Sequence, residues 1–486
     1  MVIEGIGVQH VDDVFIGGAW RPATGERRTV LAPATGAVVG EVTDPSPADA
    51  AEAVAAADAA RGAWADTPLA ERIAVCGRWL DDLDARAGDL DVVWAIEAGM
   101  PVRHGKGLYR FATVPAWKSV LDGAPAVLAE VRRGSELGEV VLTREPVGVV
   151  VGILPYNGPI VTVASKIVPA LIAGCPVVIK AAPESHLTMA IAAEAARTAG
   201  FPAGVVSVLA GGVDVGRALT RDPRVDMVSL TGGHVAAQDV LAATHGRYAR
   251  TQLELGGKSA AIILDDAPLD KVLRQLVPGA TGGAGQVCAL LSRVLVSDAR
   301  YDEVVEALKP AWERLRIGDP LDTATHVGPL INAAAVDRTR GFVQRALADG
   351  ARLVAGGGVP QNLPEELRGG SFHEPTLFAD VAPDSDLAQH EVFGPVTAVI
   401  RYADVDDAVR IANGTDLGLS GSVFAADTET GIAVARRIRS GSVGVNAFGP
   451  AMSAPFGGRK ASGWGREAGP EGILGFTEGK QILVGG

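Results

Sequence analysis

Three residues stand where the chain leaves room for something to approach. Cys288 follows Gly282-Gly283-Ala284-Gly285-Gln286-Val287, a run of mostly small residues that admits backbone or ligand at close range. A thiolate there would attack an electrophilic carbon. The commoner role of a lone cysteine is a small buried hydrophobe. Glu254 lies in Leu253-Glu254-Leu255-Gly256-Gly257-Lys258, an acid between two leucines at a strand end. Turned to solvent it is an ordinary surface carboxylate. Facing a cleft beside Cys288, its pKa would rise toward that of a general base. Asn157, in Pro155-Tyr156-Asn157-Gly158-Pro159, is either a turn former or an amide that donates to a developing oxyanion. No GxGxxG phosphate loop is present, and Gly211 to Gly216 has the wrong spacing. Thr231-Gly232-Gly233 leads from a strand into a helix, which would set a helix N-terminus near a pyrophosphate.

These residues need a frame that brings strand ends together. From residue 147 short β-branched runs alternate with helical periodicity. Strands are expected over 147–154, 177–179, 205–209 and 226–230, with helices over 160–173, 187–198 and 215–220. Such alternation predicts a parallel sheet covered on both faces, which binds ligands at the carboxyl ends of its strands. A second α/β block is expected after Gly257, with strands at 260–264, 293–296, 396–400 and 443–446 and helices after Pro268, over 301–315 and over 333–348. Ser46-Pro47 followed by Asp49 predicts a capped helix start. Trp64, Trp79 and Trp94 are expected in the core. The Pro- and Gly-rich stretches 356–375 and 449–465 are expected as loops.

Composition narrows the function classes. The 486 residues carry 44 basic and 57 acidic side chains, a formal charge of −13, which disfavours nucleic acid. Arg436, Arg437 and Arg439 read as a solvated helix face. Three cysteines (Cys76, Cys175 and Cys288) make no disulfide framework, and no CxxC or HExxH spacing points to a metal. Cys76 and Cys175 read as structural. The first nine residues lack the basic and apolar regions of a signal peptide, and no apolar run is long enough to span a bilayer. A cytoplasmic protein without membrane or nucleic-acid partners is expected.

In this order the motifs resemble the aldehyde dehydrogenase superfamily, of the NAD(P)-dependent, non-acylating type. The resemblance covers essentially the whole chain. Its carriers are the runs around Asn157, Glu254 and Cys288, with Lys180 before Pro183-Glu184, and Thr231-Gly232-Gly233. Further along come Glu391-Val392-Phe393-Gly394-Pro395, Val445-Asn446, Pro455-Phe456-Gly457-Gly458-Arg459-Lys460 and Ser462-Gly463-Trp464-Gly465-Arg466-Glu467. Phe15-Ile16-Gly17-Gly18-Ala19-Trp20 and Pro33-Ala34-Thr35-Gly36 look like the family's N-terminal segment.

The resemblance implies that Cys288 attacks the aldehyde carbon while Asn157 and the Cys288 N–H hold the oxyanion. It implies that Glu254 activates the water that releases the acid, with Lys166 near both the nicotinamide and the catalytic Glu. Lys180, Pro155, Tyr156, Glu184, Gly232, Gly233, Leu255, Glu391 and Phe393 are implied cofactor-binding residues. NAD is expected, NADP being the alternative. Lys180-Ala181-Ala182-Pro183-Glu184 displaces the family's usual acid by one position, and Gly232-Gly233-His234 loses a hydroxyl, yet no added Arg or Lys offers to pair with a 2′-phosphate.

The implied fold is α/β, a Rossmann-like coenzyme domain plus an α/β catalytic domain and a small β oligomerisation element. The coenzyme domain would comprise 1–124 and 147–256, the catalytic domain 257–460, and the oligomerisation element 125–146 and 461–486. A homodimer or homotetramer is expected, because an exposed hairpin and terminal strand need pairing. Gly158, Thr162 and Ser165, with Val287 and Ala289 flanking the nucleophile and Phe448 and Phe456 as aromatic wall, suggest a roomy apolar pocket for an aromatic or branched aldehyde. Two rivals are a CoA-acylating relative, which commonly lacks an acid at the position of Glu254, and a silent relative, which the joint presence of Cys288, Glu254, Asn157 and Lys180 disfavours.

Overall fold

In the computed structural model, which describes residues 1–485, the β-branched runs assemble into two large, mostly parallel sheets. The first has eight strands in the order Gly463–Trp464, Arg250–Glu254, Met227–Thr231, Val150–Leu154, Val177–Ala181, Val206–Ala210, Asp13–Ile16 and Ala19–Pro22. The five central strands, 250–254 to 206–210, pair in parallel. They are buried on both faces, which is why they read as continuous apolar runs. Val150–Leu154 has Val177–Ala181 on one side and Met227–Thr231 on the other, so chain order reverses there. A ligand crevice opens at such a switch point, beyond the carboxyl ends of the strands.

Helices clamp this sheet. Pro47–Ala65 begins with the expected box: Ser46 Oγ accepts from the Ala48 and Asp49 N–H, and the Asp49 carboxylate accepts from the Ser46 N–H at 2.7 Å. Trp64 and Trp79 lie in the core, their indoles donating to the carbonyls of Leu171 and Ala192. The helical stretch expected over 160–173 is present, but its middle, Val163–Ile167, widens into a π-turn. Such a bulge re-aims the side chains it carries, here Ser165 and Lys166.

The second sheet runs Arg352–Ala355, Thr376–Ala379, Val396–Tyr402, Arg293–Ser297, Ala260–Ile263, Gly421–Phe424 and Gly444–Val445. Every pair is parallel except the first. A separate three-stranded antiparallel sheet joins Val131–Ser135, Gly138–Pro146 and Thr477–Gly485, in register from Thr477↔Pro146 to Gly485↔Gly138. Gly486, the last residue of the expected 461–486 segment, lies outside the described residues.

The glycine-rich stretch expected to be loop over 449–465 contains two short strands, Arg459–Lys460 and Gly463–Trp464. Gly463 pairs with Glu254 on the first sheet's edge at φ +108°, where a Cβ would lie 2.0 Å from the Leu253 carbonyl oxygen. Glycine there serves close approach of two backbones, which composition alone reads as a turn. Among the described residues no helix is long and apolar enough to cross a membrane, and no group of three or more His, Cys, Asp or Glu could hold a metal.

Candidate active site

The carboxyl ends of the first sheet deliver most of the candidates. Glu254 ends Arg250–Glu254, Lys180 lies in Val177–Ala181, and Thr231 ends the strand that leads through Gly232 and Gly233 into the helix His234–Thr244. Pro155, Tyr156 and Asn157 form the loop after Val150–Leu154. Cys288 arrives from the other sheet's side, after the tight turn Gly282–Gly285 and before Arg293–Ser297. Gly283, Ala284 and Gly285 have φ of +56°, +55° and +77°, a left-handed run that costs alanine energy and folds the loop back on itself. A Cβ on Gly285 would lie 2.1 Å from the Gly394 backbone, so this glycine keeps the nucleophile loop and the Glu391–Pro395 loop in contact.

Backbone and side-chain contacts knit these loops. The Asn157 amide donates to the Gln286 carbonyl at 2.6 Å, leaving its second N–H free to aim elsewhere. Tyr156 Oη donates to Gln286 Oε1 at 3.0 Å, and Phe393 packs edge-on to the Tyr156 ring. The Gly257 N–H donates to Glu391 Oε1 at 3.0 Å. At Gly256 a Cβ would stand 2.1 Å from Glu391 Oε2, and at Gly257 one would stand 2.3 Å from the Cys288 carbonyl oxygen. The two glycines therefore let Glu391 and Cys288 close on the same stretch of chain. Leu255 is buried, its N–H held by the Ser462 carbonyl.

Glu254 is not the solvent-facing carboxylate that its strand-end position allows. It is 2% exposed, and neither oxygen has a hydrogen-bond partner. Burial, and then the Glu467 carboxylate, hold its pKa well above the usual carboxylate range, with Lys166 opposing. Cys288 is half-buried, and burial with the nearby carboxylates Glu391, Glu254 and Glu467 pushes its thiol up to about 12. Burial raises Glu391 to about 7, and lowers Lys180 to about 8 against the pull of Glu184. Cys76 and Cys175 are fully buried, as structural cysteines should be.

One participant had no role in the sequence reading. Glu467 closes the quoted run from Ser462, yet only the fold shows its partners. Lys166 Nζ lies 2.6 Å from Glu467 Oε2, and Ser165 Oγ donates to Glu467 Oε1 at 3.2 Å. Lys166 also reaches Ser229 Oγ at 3.3 Å. The ion pair is nearly dry, which requires the partners to be well matched. Of the proposed pocket walls, Thr162, Ser165, Ala289 and Phe456 are buried and Gly158 begins the helix Pro159–Thr162. Phe456 shares a cluster with Ala289 and Cys288, whereas Phe448 packs on Gly279 in the cluster behind.

A dinucleotide fits the remaining features. The helix N-terminus at Gly233 offers unpaired N–H groups, and a Cβ on Gly233 would meet only open space. Lys180 brings a partly desolvated amine to the next strand but one. Gly257, Val287, Glu391 and Phe393 line a cleft of about 290 Å3 open to solvent.

Comparison with known proteins gives a consistent picture. A family model described as Aldehyde dehydrogenase family matches residues 20–482. The chain is 38% identical over 480 residues to geranial dehydrogenase of Castellaniella defragrans, covering 98% of each chain. Among solved structures, Mycobacterium tuberculosis aldehyde dehydrogenase complexed with NAD+ superposes with a TM-score of 0.94 at 39% identity, over 97% of this chain and 98% of that one. A cysteine-to-alanine mutant of Pseudomonas syringae aldehyde dehydrogenase C, complexed with NAD+ and octanal, superposes at 0.91 and 34% identity, over 98% and 97% of the two chains.

Proposed function

The chain belongs to the aldehyde dehydrogenase family, and from that membership we propose that it oxidises an aromatic or branched aldehyde to its carboxylic acid with NAD+ and water. The observation that carries this reading is the convergence of Cys288, Asn157 and a buried, unpaired Glu254 beside a cleft suited to a dinucleotide. When bound there, the cofactor supplies a hydride acceptor.

Every other step falls to this chain's own residues. With its pKa near 12 the Cys288 thiol is protonated at neutral pH and needs a base to become a nucleophile. Glu254 has the raised basicity to take that proton. The Cys288 sulfur then bonds to the aldehyde carbon, and the free Asn157 N–H and the Cys288 N–H steady the oxygen as it gains charge. Loss of hydride leaves a thioester on Cys288. Glu254 next draws a proton from water, the hydroxide adds to the thioester carbon, and the acid leaves as the thiol re-forms. Lys166, fixed by Glu467, offers a route for protons away from Glu254.

Lys180 and Glu184 are assigned to the adenosine ribose, and Gly232 and Gly233 to the pyrophosphate. Glu391, with Phe393, Pro155, Tyr156 and Leu255 shaping the crevice, is assigned to the nicotinamide ribose. NAD+ is favoured by the solved relatives, whose complexes contain it. The coenzyme part is read as 1–124 and 147–256, the catalytic part as 257–460, and the β element at 125–146 and 461–486 as the seat of a homodimer or homotetramer. A cytoplasmic setting suits the three unpaired cysteines. The test is the rate of NADH formation over an aldehyde panel without CoA. Turnover of benzaldehyde-like and branched members above short aliphatic ones supports the substrate reading, and the reverse order overturns it. Turnover only with added CoA would favour the acylating alternative.

A further inference from the structure

A second cavity, about 320 Å3 with part of it open to solvent, lies beside the loop that carries Asn157. Leu108, Tyr109, Gly158 and Val161 face it, with Asp91 and Trp94 contributed by the helix Ala87–Ala98. It borders the loop of the candidate active site at two residues. Trp94 Nε1 donates to the Tyr156 carbonyl at 2.8 Å, and Gly158 directly follows Asn157. Gly158 also keeps the cavity open: a Cβ there would come within 2.9 Å of Val161 and 3.9 Å of Leu108, so a larger side chain would fill the space.

Asp91 is the anomaly in this apolar setting. It is 7% exposed, and its carboxylate accepts no hydrogen bond among the described residues. Gly105 makes room for it, since a Cβ there would lie 2.5 Å from Asp91 Oδ1. Burial raises its pKa to about 6, opposed by Lys106, so at neutral pH it is mostly ionised and unpaired. A mostly buried carboxylate that opens on a cavity with aromatic and aliphatic neighbours, and that accepts no hydrogen bond from the protein, is a good receptor for a donor.

We propose that this cavity holds the far end of the aldehyde, and that Asp91 selects aldehydes whose apolar stem ends in a hydrogen-bond donor, a hydroxyl or an ammonium group. This rests on the reading of the chain as an aldehyde-oxidising enzyme. Isosteric pairs test it: 4-(2-hydroxyethyl)benzaldehyde against 4-propylbenzaldehyde, and 4-(dimethylaminomethyl)benzaldehyde, protonated at neutral pH, against 4-isobutylbenzaldehyde. The proposal expects at least one donor-bearing member to exceed its hydrocarbon isostere by about tenfold in kcat/KM, mainly through KM. In Asp91→Asn the amide still accepts from a hydroxyl, so the ammonium preference falls away first. In Asp91→Leu both ratios fall to about one. Hydrocarbon members that match or beat their partners in the wild-type enzyme overturn the proposal, as does a donor preference that survives Asp91→Leu. If no aldehyde forms NADH, the oxidising reading fails, and the cavity is then judged by calorimetry with 4-(2-hydroxyethyl)benzyl alcohol. Binding weakened by Asp91→Leu supports the cavity's assignment, and binding that Asp91→Leu leaves unchanged, or no binding to the wild-type protein, removes it.

Discussion

Glu254, the base of the proposed reaction, illustrates how environment changes the acidity of an ordinary residue type. As part of Leu253-Glu254-Leu255 it could have faced either way, and only packing settles which. Its raised pKa has a sign that can be checked. Below that pKa the carboxyl is protonated and cannot accept a proton, so kcat should climb as pH rises through it, well above the ordinary carboxylate range. In Glu254→Gln that limb should vanish, with steady turnover down by roughly 10²- to 10⁴-fold. Cys288 was legible through the small residues before it together with the ordered motifs around it. Glu467 was not, because its contact with Ser165 spans 302 positions and no local pattern announces it. Lys166→Met should leave the Glu467 carboxylate buried and unpaired, slowing proton release and destabilising the fold by about 3 to 5 kcal/mol, read from denaturant unfolding.

At the scale of elements, glycines decide which loops can touch. Gly256→Ala would drive a methyl into Glu391, so the expected outcome is a raised KM for NAD+ with the secondary structure kept, measured by initial rates and circular dichroism. The parallel strands were readable because burial on both faces makes them unbroken apolar runs. The π-turn at Val163–Ile167 was not, since one extra residue per turn leaves the helical periodicity nearly intact. Glu97 shows a helix end tied by a distant acid: it accepts the Leu187 and Thr188 N–H groups at 2.8 and 2.7 Å at the start of His186–Ala199. Glu97→Ala orphans both donors and should lower stability by about 1 to 3 kcal/mol in the same unfolding assay.

For the whole molecule, the three-stranded sheet carries Val131, Leu137, Ile482, Leu483 and Val484 at 45–65% exposure. Such an apolar edge invites pairing with another chain. Ile482→Lys with Val484→Lys should shift sedimentation toward the monomer, and an unchanged sedimentation coefficient would locate the subunit contact elsewhere. Two separate large sheets could be anticipated from the change of pattern near Gly257, whereas Gly463–Trp464 returning to the first sheet's edge could not, because nothing local distinguishes that glycine from a loop glycine. The most direct test of the central claim is the intact mass of the Glu254→Gln protein after mixing with NAD+ and a turned-over aldehyde. The account predicts that NADH forms slowly, because Cys288 has lost its base, and stops at a single equivalent with a mass gain equal to the aldehyde less two hydrogens, located on the peptide containing Cys288. NADH formed with no covalent gain in either this variant or Cys288→Ala would contradict it.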